Sequence, residues 1–225
     1  MKNARKFYSL IFVHVAFAVF SLGSVSHPPE LQNYEVDPKD SSVSFSVKHI
    51  VVSEVHGRFK KFAASIKLDE NNLTNSSVTF TVVTPSVDTD NERRDTDLRG
   101  PMFLDVTKYP EMSFVSRRVE KNGRDYVLIG DLTLHGVTRE IRVPFVYNGI
   151  VKDNMGKIRA GFSARFSINR QDWGIKYNKV LDNGGLVAGN EVTVELEIIA
   201  VRHNRSGSPV IGSSKPRRRN SESSH

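Results

Sequence analysis

From Ile158 onward the chain places an apolar residue at every second position: Ile158, Ala160, Phe162, Ala164, Phe166 and Ile168. Arg159, Ser163, Arg165 and Ser167 lie between them, so one face is oily and the other wet. Successive side chains of a β-strand point to opposite sides, and this period of two therefore predicts a strand with one buried face. At about 3.3 Å per residue the strand reaches roughly 36 Å, long for a flat sheet and suited to a tilted barrel wall. Ala160 and Ala164 alternate with Phe162 and Phe166 on the inner face, which leaves room for a cavity. The strand runs into Asn169-Arg170-Gln171-Asp172-Trp173-Gly174, where polar groups, the only Trp and a turn residue gather. A mouth is expected there.

The same alternation recurs along the chain. Val43, Phe45 and Val47 follow a turn at Pro38-Lys39-Asp40, and Gly57 marks a bulge or close approach in a strand continuing to Leu68. Asp69–Ser76 reads as a loop, and Val78, Phe80 and Val82 as a further strand. In Asp88–Arg99 the period changes, with polar caps, early acidic residues and Gly100-Pro101 beyond. These are the signals of a short helix, and with Leu98 as its one large apolar residue it could cover an opening but not form a core. Met112–Arg118 and Tyr126–Leu134 read as strands joined at Lys121-Asn122-Gly123. Ile141, Val143 and Phe145 mark the next, and Val192, Val194, Leu196, Ile198 and Ala200 the closing one, with Thr193, Glu195 and Glu197 outward. About eight strands, few helices and short turns predict an all-β fold, an eight-stranded antiparallel barrel with one short helix at its mouth. Such a barrel is either filled by its own side chains or holds one small ligand.

Charge changes the picture at the ends. The net charge is +7, but Lys2, Arg5 and Lys6 lie at one end, and Arg202, Arg205, Lys215, Arg217, Arg218 and Arg219 at the other. Residues 27–201 are close to neutral, which argues against a nucleic-acid partner. Lys2, Arg5 and Lys6 precede an apolar run from Phe7 to Phe20 and small residues at Ser24-Val25-Ser26. That order is a secretory signal peptide over residues 1–26, too short in its apolar run for the about 18–20 residues of a membrane span. A periplasmic or secreted protein is expected, with a domain over residues 27–201 and a disordered basic tail over 202–225. The tail is suited to transient contact with anionic membrane surfaces, or is a solvated extension. Monomer and dimer are both compatible with the sequence.

Candidate chemistry is sparse. The chain has no cysteine, which removes disulfides, thiolate metal sites and a Cys nucleophile. His49 and His56 have no recognised ligand spacing and would face opposite sides of an unbroken strand, so no metal or other cofactor is expected. There is no Gly-x-Ser-x-Gly elbow, and Asp97 and Asp172 read as ordinary loop carboxylates, so no catalytic residue is assigned. Arg94 could pair with Asp97, as could Arg93, on a solvated helix face, or Arg94 could form a polar collar for a ligand head group. Arg170 could hold a phosphate or quinone oxygen, or tie a loop carboxylate. Trp173 is either a core plug or part of a tunnel wall.

Several motifs, in order and spacing, resemble the YceI family of lipocalin-like periplasmic proteins. They are Val43-Ser44-Phe45-Ser46-Val47-Lys48-His49 with Gly57-Arg58-Phe59, Arg94-Asp95-Thr96-Asp97-Leu98 with Phe103-Leu104-Asp105, and Tyr109-Pro110-Glu111-Met112-Ser113-Phe114. The closest stretches are Gly130-Asp131-Leu132-Thr133-Leu134-His135-Gly136-Val137-Thr138 and Ile168-Asn169-Arg170-Gln171-Asp172-Trp173-Gly174-Ile175. The resemblance covers about residues 34–201. It implies an eight-stranded antiparallel barrel around an apolar tunnel that holds a polyisoprenoid or similar long-chain lipid, with no established catalytic activity. Tyr34 stands where the family commonly has Trp, and the basic tail has no counterpart in the family pattern.

Together these readings expect Phe45, Phe80, Phe114, Leu134, Phe145, Ala160, Phe162, Ala164, Phe166, Ile168 and Leu196 to line the tunnel. Arg94, Leu98, Arg170 and Trp173 are expected at its mouth. An exported lipid-binding protein is the leading expectation. An enzyme acting on such a lipid at the mouth, for example a hydrolase, and a filled, ligand-free interaction module are the alternatives. If residues 1–26 are a cleaved leader, N-terminal sequencing of exported protein should begin near His27. A mature chain that keeps Phe7–Phe20 and partitions with membranes would contradict it.

Overall fold

The computed structural model describes residues 30–50, 52–177, 179 and 187–203. The leader expected over residues 1–26 and all but the first two residues of the expected tail lie outside them. Eleven strands and one α-helix follow in chain order: β1 (Leu31–Val36), β2 (Ser42–His49), β3 (Ser53–Phe59), β4 (Phe62–Asp69), β5 (Ser77–Val83), β6 (Val87–Asp88), α1 (Glu92–Arg99), β7 (Glu111–Asn122), β8 (Asp125–Leu134), β9 (Val137–Lys152), β10 (Ile158–Asn169) and β11 (Ala188–Arg202). Every pairing is antiparallel, and the ring β1-β4-β5-β7-β8-β9-β10-β11 closes where β1 returns to β11. The result is the expected closed eight-stranded barrel.

The strand count exceeds eight because three staves are kinked. β1 and β2 pair in succession along one edge of β11, β4 and β3 lie beside them, and β5 and β6 beside those. The first stave breaks at Asp37–Ser41, where Asp37 Oδ1 accepts the Lys39 N–H around Pro38. The third breaks at a 3-10 turn, Thr84–Ser86, which contains Pro85. Proline has no N–H to give a ladder, so two of the three breaks coincide with one. The second break, at Lys60-Lys61, is stitched to the third: Lys60 N–H donates to Ser86 O and Lys61 N–H to Ser86 Oγ. Arg159 clamps the first kink to the β9–β10 turn, with Asp153 at 2.8 Å, Asp40 at 2.9 Å and Asp37 at 3.3 Å. Its guanidinium holds the Asp153 carboxyl below the usual carboxylate range.

Around the return of β1 to β11 the core is tightly packed. Tyr34, Leu68, Ala160 and Ala200 are at most 1% exposed, and Leu73, from the 3-10 turn between β4 and β5, seals the bottom. Tyr34 sends its hydroxyl to Glu70, 2.7 Å away, which also takes Arg202 at 3.0 Å. β11 therefore runs through Arg202, one residue past the boundary expected at 201.

At the upper end β6 has only two residues, and α1 takes over where that stave stops. Asn91 caps the helix through the Arg94 N–H, so it starts four residues later than its expected limit at Asp88. Asp95, 2% exposed, accepts the N–H and hydroxyl of Thr89, and Arg99 ties the last turn to Pro85 O and Val87 O.

Two further registers shape the wall. β9 and β10 shift against each other between Gly161 and Phe162, and their ladder ends at Ala164 opposite Phe145, although both strands continue. Gly57 faces Phe45 directly across β2 and β3, with no bulge; a Cβ there would sit 2.3 Å from Phe45 Cζ. Close approach, rather than an extra residue, is the role of this glycine. Gly57→Ala should therefore cost about 1–3 kcal/mol by overpacking, measured by urea unfolding, and Phe45→Leu should restore most of it. A Gly57→Ala protein as stable as the parent would contradict the packing.

Candidate functional site

The barrel interior is not filled by its own side chains. A cavity of about 490 Å³ lies between the inner faces of the staves and opens beneath α1. That size falls among small-molecule pockets, commonly about 300–1,000 Å³. It excludes the filled barrel among the sequence alternatives. The cause lies in the inner sequence: Ala164 of β10, between Phe162 and Phe166, leaves space where larger neighbours would meet.

Thirteen of the fifteen expected residues line the cavity. Phe45, Phe80, Phe114, Leu134 and Phe145 do so from β2, β5, β7, β8 and β9. Phe162, Ala164, Phe166 and Ile168 line it from β10, and Leu196 from β11. Arg94, Leu98 and Arg170 stand at the upper end. Aromatic rings pair along the wall: Phe145 lies 6.3 Å from Phe162, and Phe45 5.5 Å from Phe59, centroid to centroid.

Two expected residues do not line it. Ala160, fully buried, packs in the core cluster opposite Ala200 and does not reach the cavity. Trp173, 3% exposed, packs with Leu134 and Ile175 in a second cluster behind the wall, and its Nε1–H donates to Leu132 O at 3.2 Å. It is a core plug.

Arg170 is also structural. It lies in the 3-10 turn Arg170–Trp173, 5% exposed, with its guanidinium donating to the carbonyls of Ile175, Tyr177, Ala188 and Gly189 and to Asn190 Oδ1, at 2.7–3.2 Å. It ties a loop, as one reading expected, but through carbonyls rather than a carboxylate. Burial pulls its pKa below the usual arginine value. A guanidinium has five N–H donors, so these contacts leave it little capacity for a ligand.

Arg94 differs. Its Nε donates to Thr89 Oγ1 and its Nη2 to Thr89 O, which fixes the side chain at the cavity rim. Neither Arg94 nor Arg93 pairs with Asp97. The orphan carbonyl and hydroxyl of Thr89 are the better partners because Asp95 holds that residue in place. Arg94 keeps Nη1 outside these bonds, and exposed Asp97 lines the same opening with Lys48 and His49 opposite. Among the described residues no three His, Asp or Glu side chains gather as metal ligands would.

Alternation pointed to the strand residues, and it also covers Ile141 and Val143, which line the cavity but were not singled out. Phe103, Leu104, Ile175 and Tyr177 were not legible as lining residues, because they lie in irregular segments that have no period. Phe103 and Tyr177 meet with ring centroids 4.6 Å apart, closing one side of the opening.

A family model described as the YceI-like domain matches residues 34–200. A UPF0312 protein of Staphylococcus epidermidis is 35% identical over 166 residues, covering 73% of this chain and 95% of that protein. Among solved structures, a YCEI protein of Campylobacter jejuni superposes with a TM-score of 0.60 at 28% identity, covering 70% of this chain and 90% of that one. A structure from Saccharophagus degradans, described as a polyisoprenoid binding domain implicated in plant cell wall breakdown, superposes with a TM-score of 0.58 at 15% identity, covering 77% and 100%. The matched span runs from the strand that closes the ring to the one it closes upon, and the chain belongs to the YceI-like domain family.

Proposed function

We propose that this protein is an exported carrier or store for a long-chain amphiphile of the isoprenoid class, and not an enzyme. The apolar cavity of about 490 Å³, walled mainly by aromatic and aliphatic side chains and with Arg94 and Asp97 at its rim, carries this reading. The polyisoprenoid binding domain that shares the fold supports the ligand class.

Burial of hydrocarbon would supply the affinity. Each CH₂ removed from water contributes about 0.8 kcal/mol, so ten buried carbons yield roughly 8 kcal/mol before the chain's lost freedom is counted. Micromolar binding corresponds to about 8 kcal/mol net, so more than ten carbons must be buried once that lost freedom is counted, and no charged contact is needed to reach it. Arg94 and Asp97 then select the head group, one offering N–H donors and the other an acceptor. Arg170 acts on the frame instead.

Organic extraction of protein purified from its native compartment, followed by mass spectrometry, should release a long-chain lipid in near-stoichiometric amount. Ala164→Phe should abolish that retention while circular dichroism still reports the barrel; unchanged lipid content in this variant would remove the reading.

Arg170→Ala should lower stability by about 3–5 kcal/mol, since it orphans several buried carbonyls at once. Arg94→Ala should leave stability within about 1 kcal/mol and change head-group preference among probes that share one tail. Thermal melts and competition binding separate the two. Equal stability of the Arg170 and Arg94 variants would show that the roles are misassigned.

A further inference from the structure

The cavity has a second weak place besides its upper opening. β9 and β10 are hydrogen-bonded from Ile158 opposite Lys152 only as far as Ala164 opposite Phe145. Beyond that pair both strands continue, β9 bonded only to β8 down to Val137, and β10 bonded only to β11 up to Asn169. The parting begins beside Pro144, which has no N–H to offer either neighbour. Two strand edges thus face each other across a seam in the wall.

A groove follows this seam on the outer surface, with Arg139, Glu140, Arg142, Asn169 and Asp172 along its rims. Ile141, Phe166 and Ile168 line both this groove and the interior cavity. One layer of side chains therefore separates the apolar interior from solvent here, whereas elsewhere along β9 and β10 a backbone ladder does so. Rotating side chains is far faster than breaking a ladder, since rotamers exchange in picoseconds to nanoseconds when freed. At the top of the seam Arg139 Nε donates to Asp172 O at 2.7 Å, a single clasp from β9 to the turn after β10.

We infer that the β9–β10 seam is a lateral portal through which the hydrocarbon chain of the ligand enters and leaves the cavity. This rests on the lipid-binding reading proposed above. Its apolar floor accepts a chain, and its polar rims keep the head group in water while the tail slides sideways. The end-on route passes beneath α1, whose ties from Asp95, Arg94 and Arg99 to residues 85–89 fix the width of that opening. A passage that moves only Ile141, Phe166 and Ile168 breaks none of those ties.

The natural chain has no cysteine, so a pair introduced as Arg142→Cys with Ser167→Cys can be bridged selectively. Both positions are exposed on the groove and would oppose each other if the ladder continued. The full-length protein, bridged by thiol reagents of graded length with a cleavable spacer, is mixed with a fluorescent isoprenoid alcohol, and uptake and release are followed by stopped flow. The bridge should slow both rates at least tenfold with little change in equilibrium affinity, and cleaving it should restore them. Arg139→Ala, which opens the clasp, should speed both rates at least threefold, again without changing affinity. Rates indifferent to both changes overturn the portal and leave the end-on route. A wild-type protein that takes up no probe overturns the lipid reading itself, and the portal with it.

Discussion

A sheet with one apolar face is stable in water only when that face is covered, and this chain covers it by closing the sheet on itself. Closure rests on a short ladder, in which Tyr34, Glu35 and Val36 of β1 meet Arg202, Val201 and Ala200 of β11. β1 brings three residue pairs to this join, and β2 continues the same stave along β11 with seven more. The join is supported from inside by Tyr34 and Ala200, neither of which is measurably exposed, and from outside by the Glu70 carboxylate, which takes both the Tyr34 hydroxyl and the Arg202 guanidinium. Burial and this hydrogen bond together push the Tyr34 hydroxyl far above the usual tyrosine pKa, so it stays a donor.

Closure also divides the interior. Near the join Tyr34, Ala160 and Ala200 are packed away from the cavity, while Val36, Ile66, Leu68 and Ile198 of the same cluster line it, and the alternation of Ala with Phe on β10 carries the open space on toward α1. The kinks at Asp37–Ser41, Lys60-Lys61 and Thr84–Ser86 lie side by side and turn three staves at once. The polar groups beside the kinks pair among themselves: Arg58 and Lys60 with Asp88, and Arg159 with three carboxylates. They therefore belong to the frame and not to the site.

What was legible in the sequence follows the range of the forces involved. Alternation along a strand is local, so the inward faces of β2, β5, β7, β9, β10 and β11 could be read directly. The helix was legible from its caps, and Gly57 from the absence of a side chain where one was expected. The depth of a residue along the barrel axis is not local. Ala160 and Ala164 have the same place in the pattern, yet one is packed away in the core cluster with Ala200 and Tyr34 and the other lies on the cavity wall. Arg170 was ambiguous for the same reason: its acceptors lie as far along as Ala188, Gly189 and Asn190, and no periodicity signals a bond to a carbonyl. The lining residues Leu104, Ile175 and Tyr177 lie in segments that follow no period at all.

The pinning of both flanks by Arg170 has a consequence for how this fold can vary. One guanidinium holds Ile175 and Tyr177 on one side and Ala188, Gly189 and Asn190 on the other, so β11 starts in register whatever separates them. The entropy of closing a loop grows only with the logarithm of its length, about 0.6 kcal/mol per doubling. The number of residues between Tyr177 and Ala188 can therefore change at little cost to the strand that closes the barrel. A single buried cation fixes where that strand begins, and its hold does not depend on the length of chain it spans.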